Sequence, residues 1–372
     1  MPNNNWFVPN FVTPEKFEQT TIKDLSGPDG WLLFAACNSG IDFALDVKNE
    51  YELMLRFNKS SCKSIPLIGD HENPITRIFA DTESCPRLKR HVAGSNVYVF
   101  QCVHERTSDQ TVNENIQQLL QVVRTLSYHR AKTITVVTPY SPYSRQDKPS
   151  FMQRESTLAS LFADQLNIAG ADFHLTYHPH SYSLYGLYEP DMKMVALNGL
   201  DLFIEVFEEY KGDEDTVVIS TDSGGAKFTI HYANAMKLPY AIASKFRYAK
   251  DSTQFLGVIG DIEGKKRAII TDDETVSGSS LFNLVKSLYL NYGIHEIYVA
   301  ISHMKLLKSK IPDLIDAHKN YGLKTFHITD TIPQYKELID LDFVVHHKLA
   351  RRFAATINHM HYHRSISEMF YC

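Results

Sequence analysis

The sequence predicts an α/β protein with mainly parallel sheets, and three observations carry that prediction. Short β-branched runs alternate with amphipathic helices along the chain, an order that covers both faces of a parallel sheet with helices. At 372 residues the chain is too long for one ordinary core and suits about two domains. Its 44% apolar and 22% charged residues are ordinary globular composition, which excludes bulk disorder.

The elements follow in order. The first 30 residues are polar and punctuated by Pro and Gly, ending in SGPDGW, and read as a loosely packed extension. VYVFQC (97–102) reads as a strand. Asn113 to about His129 reads as a helix, with Ile116, Leu119, Leu120 and Val123 at helical spacing. TITVVTPY (133–140) is an apolar strand stopped by Pro139, and Glu155 to about Ile168 a helix ended by Gly170. TVVIST (216–221) is a strand that leads through GGAKFTIHYANAM into a helix. RAIITDD (267–273) is a strand, and SSLFNLVKSLYLNYG a helix ended by Gly293. EIYVAIS (296–302) and KTFHIT (324–329) complete the strands. The expected division is an extension over 1–30, a first α/β domain over 31–189 and a second over 190–346. A terminal segment, 347–372, is expected to pack back on the first domain.

Several classes are disfavoured. No apolar run approaches the ~20 residues that span a bilayer. MPNNNWFVPN lacks the basic end and apolar stretch of a secretory signal. A net charge of −5 argues against a general nucleic-acid binder. The five cysteines are scattered without a CxxC pair, so they form neither a disulfide framework nor a zinc ribbon. They read as buried small hydrophobes in a reducing cytoplasm.

In such folds the site lies at the C-terminal ends of the strands, and four polar clusters stand there. TDDETVSGSS (271–280) puts Asp272 and Asp273 before a run of small residues that opens a helix. Small residues let backbone N–H groups close on a phosphate, and the carboxylates suit ribose hydroxyls. An acidic turn with a Ser N-cap is the plainer alternative. STDSGGAKF (220–228) offers Asp222 as an oxygen ligand for Mg²⁺, or is simply a glycine-rich turn. TPYSPYSRQDK (138–148) places Arg145, Gln146, Asp147 and Lys148 in a loop that could neutralise phosphate or merely be solvated. SKFRYAK (244–250) reads as a cationic loop, with Lys245 and Arg247 placed to stabilise a transferring phosphoryl group or to lie on the surface. No GxxxxGK[ST] and no protein-kinase signature occurs.

Taken in order, these segments resemble the ribose-phosphate pyrophosphokinase family, from about Ser39 to Phe370. FADTE (79–83) is similar to F-x-D-x-E, NENIQQLL (113–120) to N-D-N-x-x-E-L-L, and PYSPYSRQDK to P-Y-x-P-Y-A-R-Q-D-[RK]. STDSGGAK is similar to S-P-D-x-G-G-x-K, Lys245-Phe246-Arg247 to K-x-R, and GDIEGKKRAIITDD to G-D-V-x-G-K-x-x-x-x-V-D-D. ITDTIP (328–333) and SISEMF (365–370) also have counterparts. The resemblance implies two tandem phosphoribosyltransferase-like (Rossmann-like) domains, the first on the ATP side.

It further implies transfer of the β,γ-diphosphate of ATP to the anomeric hydroxyl of ribose 5-phosphate, with Mg²⁺ as cofactor. Phe79, Asp81 and Glu83 would contact adenine in a neighbouring subunit's site. Arg145 and Gln146 would contact ATP with Asp147 close by, and His180 would approach the Mg·ATP phosphates. Asp222 would hold Mg²⁺, and Lys245 and Arg247 would act on the transferring diphosphate. Asp272 and Asp273 would bind ribose hydroxyls, and Ser277, Gly278, Ser279 and Ser280 the sugar phosphate. A homo-oligomer based on dimers that assemble into hexamers is implied as well, with no nucleic-acid or membrane partner.

The sequence departs from the pattern at the acceptor end. The family reads D-D-x-x-D-T-A-G-T, whereas Val276 stands here at the third aspartate and Ser279 and Ser280 at the last glycine and threonine. The aspartate of the family's D-L-H is His178, and Arg154 matches only after a one-residue insertion. An altered acceptor is therefore a live alternative: ADP-ribose carries the same anomeric hydroxyl, and a product of that kind would feed NAD synthesis. A non-catalytic regulatory homologue is a second alternative, against which the retained Lys245, Arg247, Asp222, Asp272 and Asp273 argue. A phosphoribosyltransferase would not need the FADTE, RQDK and KFR segments. His359, His361 and His363 alternate and on a strand would share a face able to bind a metal, but the surrounding LARRFAATINHMHYH pattern starts as a helix, so an oligomer-contact or surface role is expected.

Overall fold

The computed structural model describes residues 25–107, 110–150, 152–249 and 252–367, with the backbone alone for 245–249 and 252–256. In the first half the strands are β1 (Ser26–Gly27), β2 (Gly30–Ala36), β3 (Leu67–Ile68), β4 (Thr76–Ile78), β5 (Ser84–Pro86), β6 (Ser95–Phe100), β7 (Thr133–Val137), β8 (Phe173–Tyr177) and β9 (Lys193–Leu197). They form one sheet in the order β1-β2-β6-β7-β8-β9, with β3 also on β2; β4 and β5 make a separate hairpin. Only β1 runs antiparallel in that sheet. Strands β6 and β7 are buried almost throughout, as expected of parallel strands covered on both faces.

The helices of this half are α1 (Ile41–Phe57), α2 (Val112–Tyr128) and α3 (Leu158–Ala169). Helix α2 starts where Thr111 and Glu114 close a capping box, so two otherwise orphan N–H groups are satisfied reciprocally. Helix α3 stops at Gly170, whose φ of +106° favours a residue without a Cβ.

The second half carries β10 (Thr216–Ser220), β11 (Tyr240–Ala249), β12 (Ser252–Gly260), β13 (Arg267–Thr275), β14 (Glu296–Met304), β15 (Leu323–Thr329) and β16 (Val344–His347). Its sheet runs β12-β11-β10-β13-β14-β15-β16, parallel except for β12. Helices α4 (Leu200–Val206), α5 (Ala226–Met236), α6 (Ser279–Asn291), α7 (Ile311–Asn320), α8 (Lys336–Ile339) and α9 (Ala350–His361) accompany it. Phe34, Tyr98 and Leu175 of the first sheet share one apolar cluster with Val218, Ile269 and Ala300 of the second. The two units therefore bury apolar surface against each other, and this nondirectional attraction brings their strand ends together.

The structure corrects four expectations. The division at Glu189 falls inside the first unit, because β9 pairs with β8 from Phe173↔Lys193 to Tyr177↔Leu197. The extension ends earlier than residue 30: Leu25 is buried, its carbonyl accepts from Leu32 N, and β1 pairs with β2; residues 1–24 lie outside the described residues. SKFRYAK is not a loop, since residues 244–249 belong to β11 of an antiparallel ribbon. The three alternating histidines are not all surface groups. His361 is buried on α9 between Asn96 and the Leu25 carbonyl, while His359 meets the Ser365 carbonyl and His363 meets Asp29.

Helix α9 packs against α1 in the first unit: the Phe43 and Phe353 rings stand 5.1 Å apart, and Asn358 donates to Tyr51 Oη at 2.8 Å. Cys37 and Cys102 are buried, whereas Cys62 and Cys85 are half-buried. Residues 368–370 of SISEMF and Cys372 lie outside the described residues.

One buried group gives the fold a pH signature. His174 lies in the first core between Thr138 Oγ1 at 2.6 Å and Tyr188 Oη at 2.8 Å, and burial lowers its pKa to about 3. The unfolded chain takes up this proton near pH 6.5, so the contribution is complete above 6.5 and lost as pH falls toward 3. Urea-unfolding midpoints are expected to fall from pH 6.5 to 4.5, and more shallowly in His174→Asn; an equal slope in the variant would refute the assignment.

Candidate active site

The C-terminal edges of the two sheets meet at a cavity of about 170 Å³. From the first unit it receives Arg145, in the loop after β7, and His180, in the loop after β8. From the second it receives Asp222 and Gly224–Gly225 after β10, Asp272 and Asp273 near the end of β13, and Ser277, Gly278 and Ser280 at the start of α6.

Each piece has a local cause. Asp222 closes the turn after β10: its Oδ1 accepts from Gly224 N at 2.9 Å and Gly225 N at 3.2 Å. A Cβ on Gly225 would stand 2.8 Å from Ser220 Oγ, so a larger residue there would have to displace the hydroxyl that donates to the Asp222 carbonyl at 2.6 Å. Strand β13 runs through the acidic residues to Thr275, two residues past the expected end, because β14 continues alongside it to Thr275↔Met304. Asp272 thus sits beside Thr221, whose hydroxyl donates to its Oδ2.

The two adjacent carboxylates titrate apart. Burial, then the charge of Asp273, holds Asp272 well above the usual carboxylate range. Burial would raise Asp273 too, but the His180 hydrogen bond and charge override it and hold Asp273 far below that range. The same bond raises His180. The two acids therefore differ in how readily they give up a proton, as expected when adjacent carboxyls share a low-dielectric site.

Behind them Glu274 is buried, with Lys305 Nζ 2.5 Å from Oε2 and Arg145 Nε 3.1 Å from Oε1. Lys305 also donates to Tyr140 Oη at 2.9 Å. His178, the counterpart of the family's aspartate, is buried with Nδ1 2.5 Å from Ser302 Oγ.

Other anticipated residues fall elsewhere. Gln146 is exposed beside the cavity and Asp147 accepts from Ser183 Oγ at 2.9 Å; neither lines it. Ser279 opens α6 without lining it. Phe79, Asp81 and Glu83 form the exposed tip of the β4–β5 hairpin, closed by Phe79 N on the Glu83 carbonyl at 2.8 Å. Lys245 and Arg247 are in β11, which pairs with β10 only as far as Ile242 and so runs on past the strand end that leads to Asp222; their side chains lie outside the description. Sequence reasoning missed Thr221, Glu274 and Lys305. Glu274 was within reach as the third acid of the run, whereas Lys305 is signalled only by a charge just after an apolar strand.

A family model, the N-terminal domain of ribose phosphate pyrophosphokinase, matches residues 70–170. The ribose-phosphate pyrophosphokinase of Halalkalibacterium halodurans is 30% identical over 299 residues, 80% of this chain and 89% of that protein. That of Bacillus subtilis is 31% identical over 266 residues, 71% and 79% of the two chains. The crystal structure of phosphoribosylpyrophosphate synthetase from Mycobacterium smegmatis superposes with a TM-score of 0.74 at 25% identity, covering 88% of this chain and 98% of that one.

Fold and relatives together define an enzyme of the diphosphotransferase class, built from tandem phosphoribosyltransferase-like domains. The chain belongs to the ribose-phosphate pyrophosphokinase family. Among the described residues no helix is long and apolar enough to cross a membrane.

The turn into α6 carries a sharp steric test. Gly278 adopts φ +66°, and a Cβ there would run into the Phe282 ring. Gly278→Ala is expected to destabilise the protein by about 1–3 kcal/mol, read as a lower urea midpoint. An unchanged midpoint would mean the turn is not held in this conformation.

Proposed function

We propose that this chain makes phosphoribosyl pyrophosphate, transferring the β,γ-diphosphate of Mg·ATP to the anomeric hydroxyl of ribose 5-phosphate and releasing AMP. One observation carries the reading: a carboxylate pair and a small-residue helix start share one cavity with an arginine and a histidine from the other domain. Asp272 and Asp273 would accept from ribose hydroxyls. The N-terminus of α6 with Ser277, Gly278, Ser279 and Ser280 would cradle the 5′-phosphate. Arg145 would bind ATP phosphate in the fixed fork geometry of a guanidinium, with Gln146 and Asp147 at the mouth.

Phe79, Asp81 and Glu83 would serve the adenine of a neighbouring copy, which makes the working unit a homo-oligomer based on dimers, in the cytoplasm. Asp222 suits Mg²⁺, a hard ion that takes few protein oxygens and completes its shell with phosphate oxygens and water; His180, paired with Asp273, would approach the Mg·ATP phosphates rather than ligate the ion. Bound at Asp222, Mg²⁺ would neutralise phosphate charge. Lys245 and Arg247, on the overhang of β11, would neutralise the charge that grows on the transferring group. No protein nucleophile is needed; catalysis is positioning plus charge neutralisation.

AMP release from Mg·ATP is expected with ribose 5-phosphate in the presence of inorganic phosphate. Release with ADP-ribose alone would move the acceptor assignment, and silence with both would favour a regulatory homologue. Val276→Asp, in the cavity wall, then tests the acceptor end: no change in preference between the two sugars would make Val276 irrelevant to it. Lys245→Ala is expected to lower kcat on the order of a hundredfold or more with a small change in ATP binding, because its contact belongs to the transition state. Unchanged turnover would remove Lys245 from the chemistry.

A further inference from the structure

Glu274 is a carboxylate the proposed chemistry does not use, although it lies at the cavity and is only 8% exposed. Its two oxygens have separate duties. Oε2 takes Lys305 Nζ at 2.5 Å, within the second unit. Oε1 lies 3.1 Å from Arg145 Nε, across the interface. Lys305 is held in turn by Tyr140 Oη at 2.9 Å, and its carbonyl accepts from Arg106, both of the first unit. The carboxylate is thus clamped from behind and cannot swing to follow Arg145. The Arg145 side chain is 54% exposed and would otherwise sample many rotamers. The contact is a charge pairing without an aligned hydrogen bond, so the guanidinium keeps its N–H donors for another anion.

We propose that Glu274, backed by Lys305, is a positioning residue whose charge holds the Arg145 guanidinium at the cavity, where it receives a nucleotide phosphate. The inference rests on the reading of Arg145 as an ATP contact. Its physical content is preorganisation: rotamer freedom is given up on folding rather than on binding. A purely structural pair makes a different prediction. If Glu274 served only to neutralise Lys305, removing both charges would restore everything, since a buried ion pair is replaceable by uncharged side chains of similar volume.

The test uses the full chain and reads the dissociation constant of Mg·ATP by calorimetry, AMP release and the thermal midpoint. Glu274→Gln alone strands the Lys305 charge and is expected to destabilise. Glu274→Gln with Lys305→Met is expected to recover the wild-type midpoint, while the dissociation constant and KM for ATP stay raised about tenfold and kcat moves less than about threefold. Arg145→Ala added to that pair is expected to weaken ATP binding far less than it does in the wild type. Should the paired variant not fold, Glu274→Asp keeps the charge and withdraws the carboxylate by one methylene; it is expected to weaken ATP binding similarly. ATP binding that recovers along with stability, an additive Arg145→Ala effect, or wild-type affinity in Glu274→Asp overturns the positioning role alone. A wild-type chain that binds no Mg·ATP overturns the nucleotide reading as well.

Discussion

Adjacent carboxylates at a buried strand end cannot all carry charge unless cations are brought to them, and here two of those cations come from the other domain while Lys305 comes from their own. His180 meets Asp273 and Arg145 meets Glu274, each across the interface. Between Asp272 and Asp273 the conflict is settled by raising one acid and lowering the other. The apolar cluster beneath, from Phe34 to Ile269, draws the sheets together but has no directional preference. The register of the two strand-end edges rests on the polar contacts above it: His180 with Asp273, Glu274 with Arg145, and His303 Nε2 with the His178 carbonyl at 2.9 Å. Neither domain alone contains the site.

What the sequence revealed divides along the range of the forces involved. Strands such as 133–137 and helices such as 112–128 were legible because burial on both faces and helical periodicity are local patterns. Asp222, Asp272 and Asp273 were legible because each follows an apolar run, which in a parallel sheet puts it at the binding edge. The edge strand 193–197 was not, since its place in the first sheet is decided by pairing with β8. Nor was the ribbon at Lys245, whose strand character comes from its antiparallel partner and not from its own composition. His361 looked like a surface group until the folded chain put it against Asn96, 265 residues away. Lys305 is the sharpest case: nothing within its own neighbourhood announces Glu274, 31 residues upstream, or Tyr140, 165 residues upstream. A local pattern can place a charge at a strand end but cannot name the group that neutralises it.

The charge balance of the cavity bears on the proposed reaction. Its lining carries Asp222, Asp272, Asp273 and Glu274 against Arg145 and His180. With Glu274 matched by Lys305, the wall has little positive charge to spare for a triphosphate and a sugar phosphate together. In a site of low effective dielectric that deficit would cost several kcal/mol. Under the proposed function two sources would cover it: a divalent ion held by Asp222, in the turn after β10, and Lys245 and Arg247 of the neighbouring β11. Neither need be in place before substrate arrives. A cation that comes with the nucleotide, and a ribbon whose charges gather over the transferring group, would apply positive charge as phosphate charge enters and shifts. Such an arrangement favours the transition state over the empty cavity, which is what transferring a diphosphate without a protein nucleophile demands.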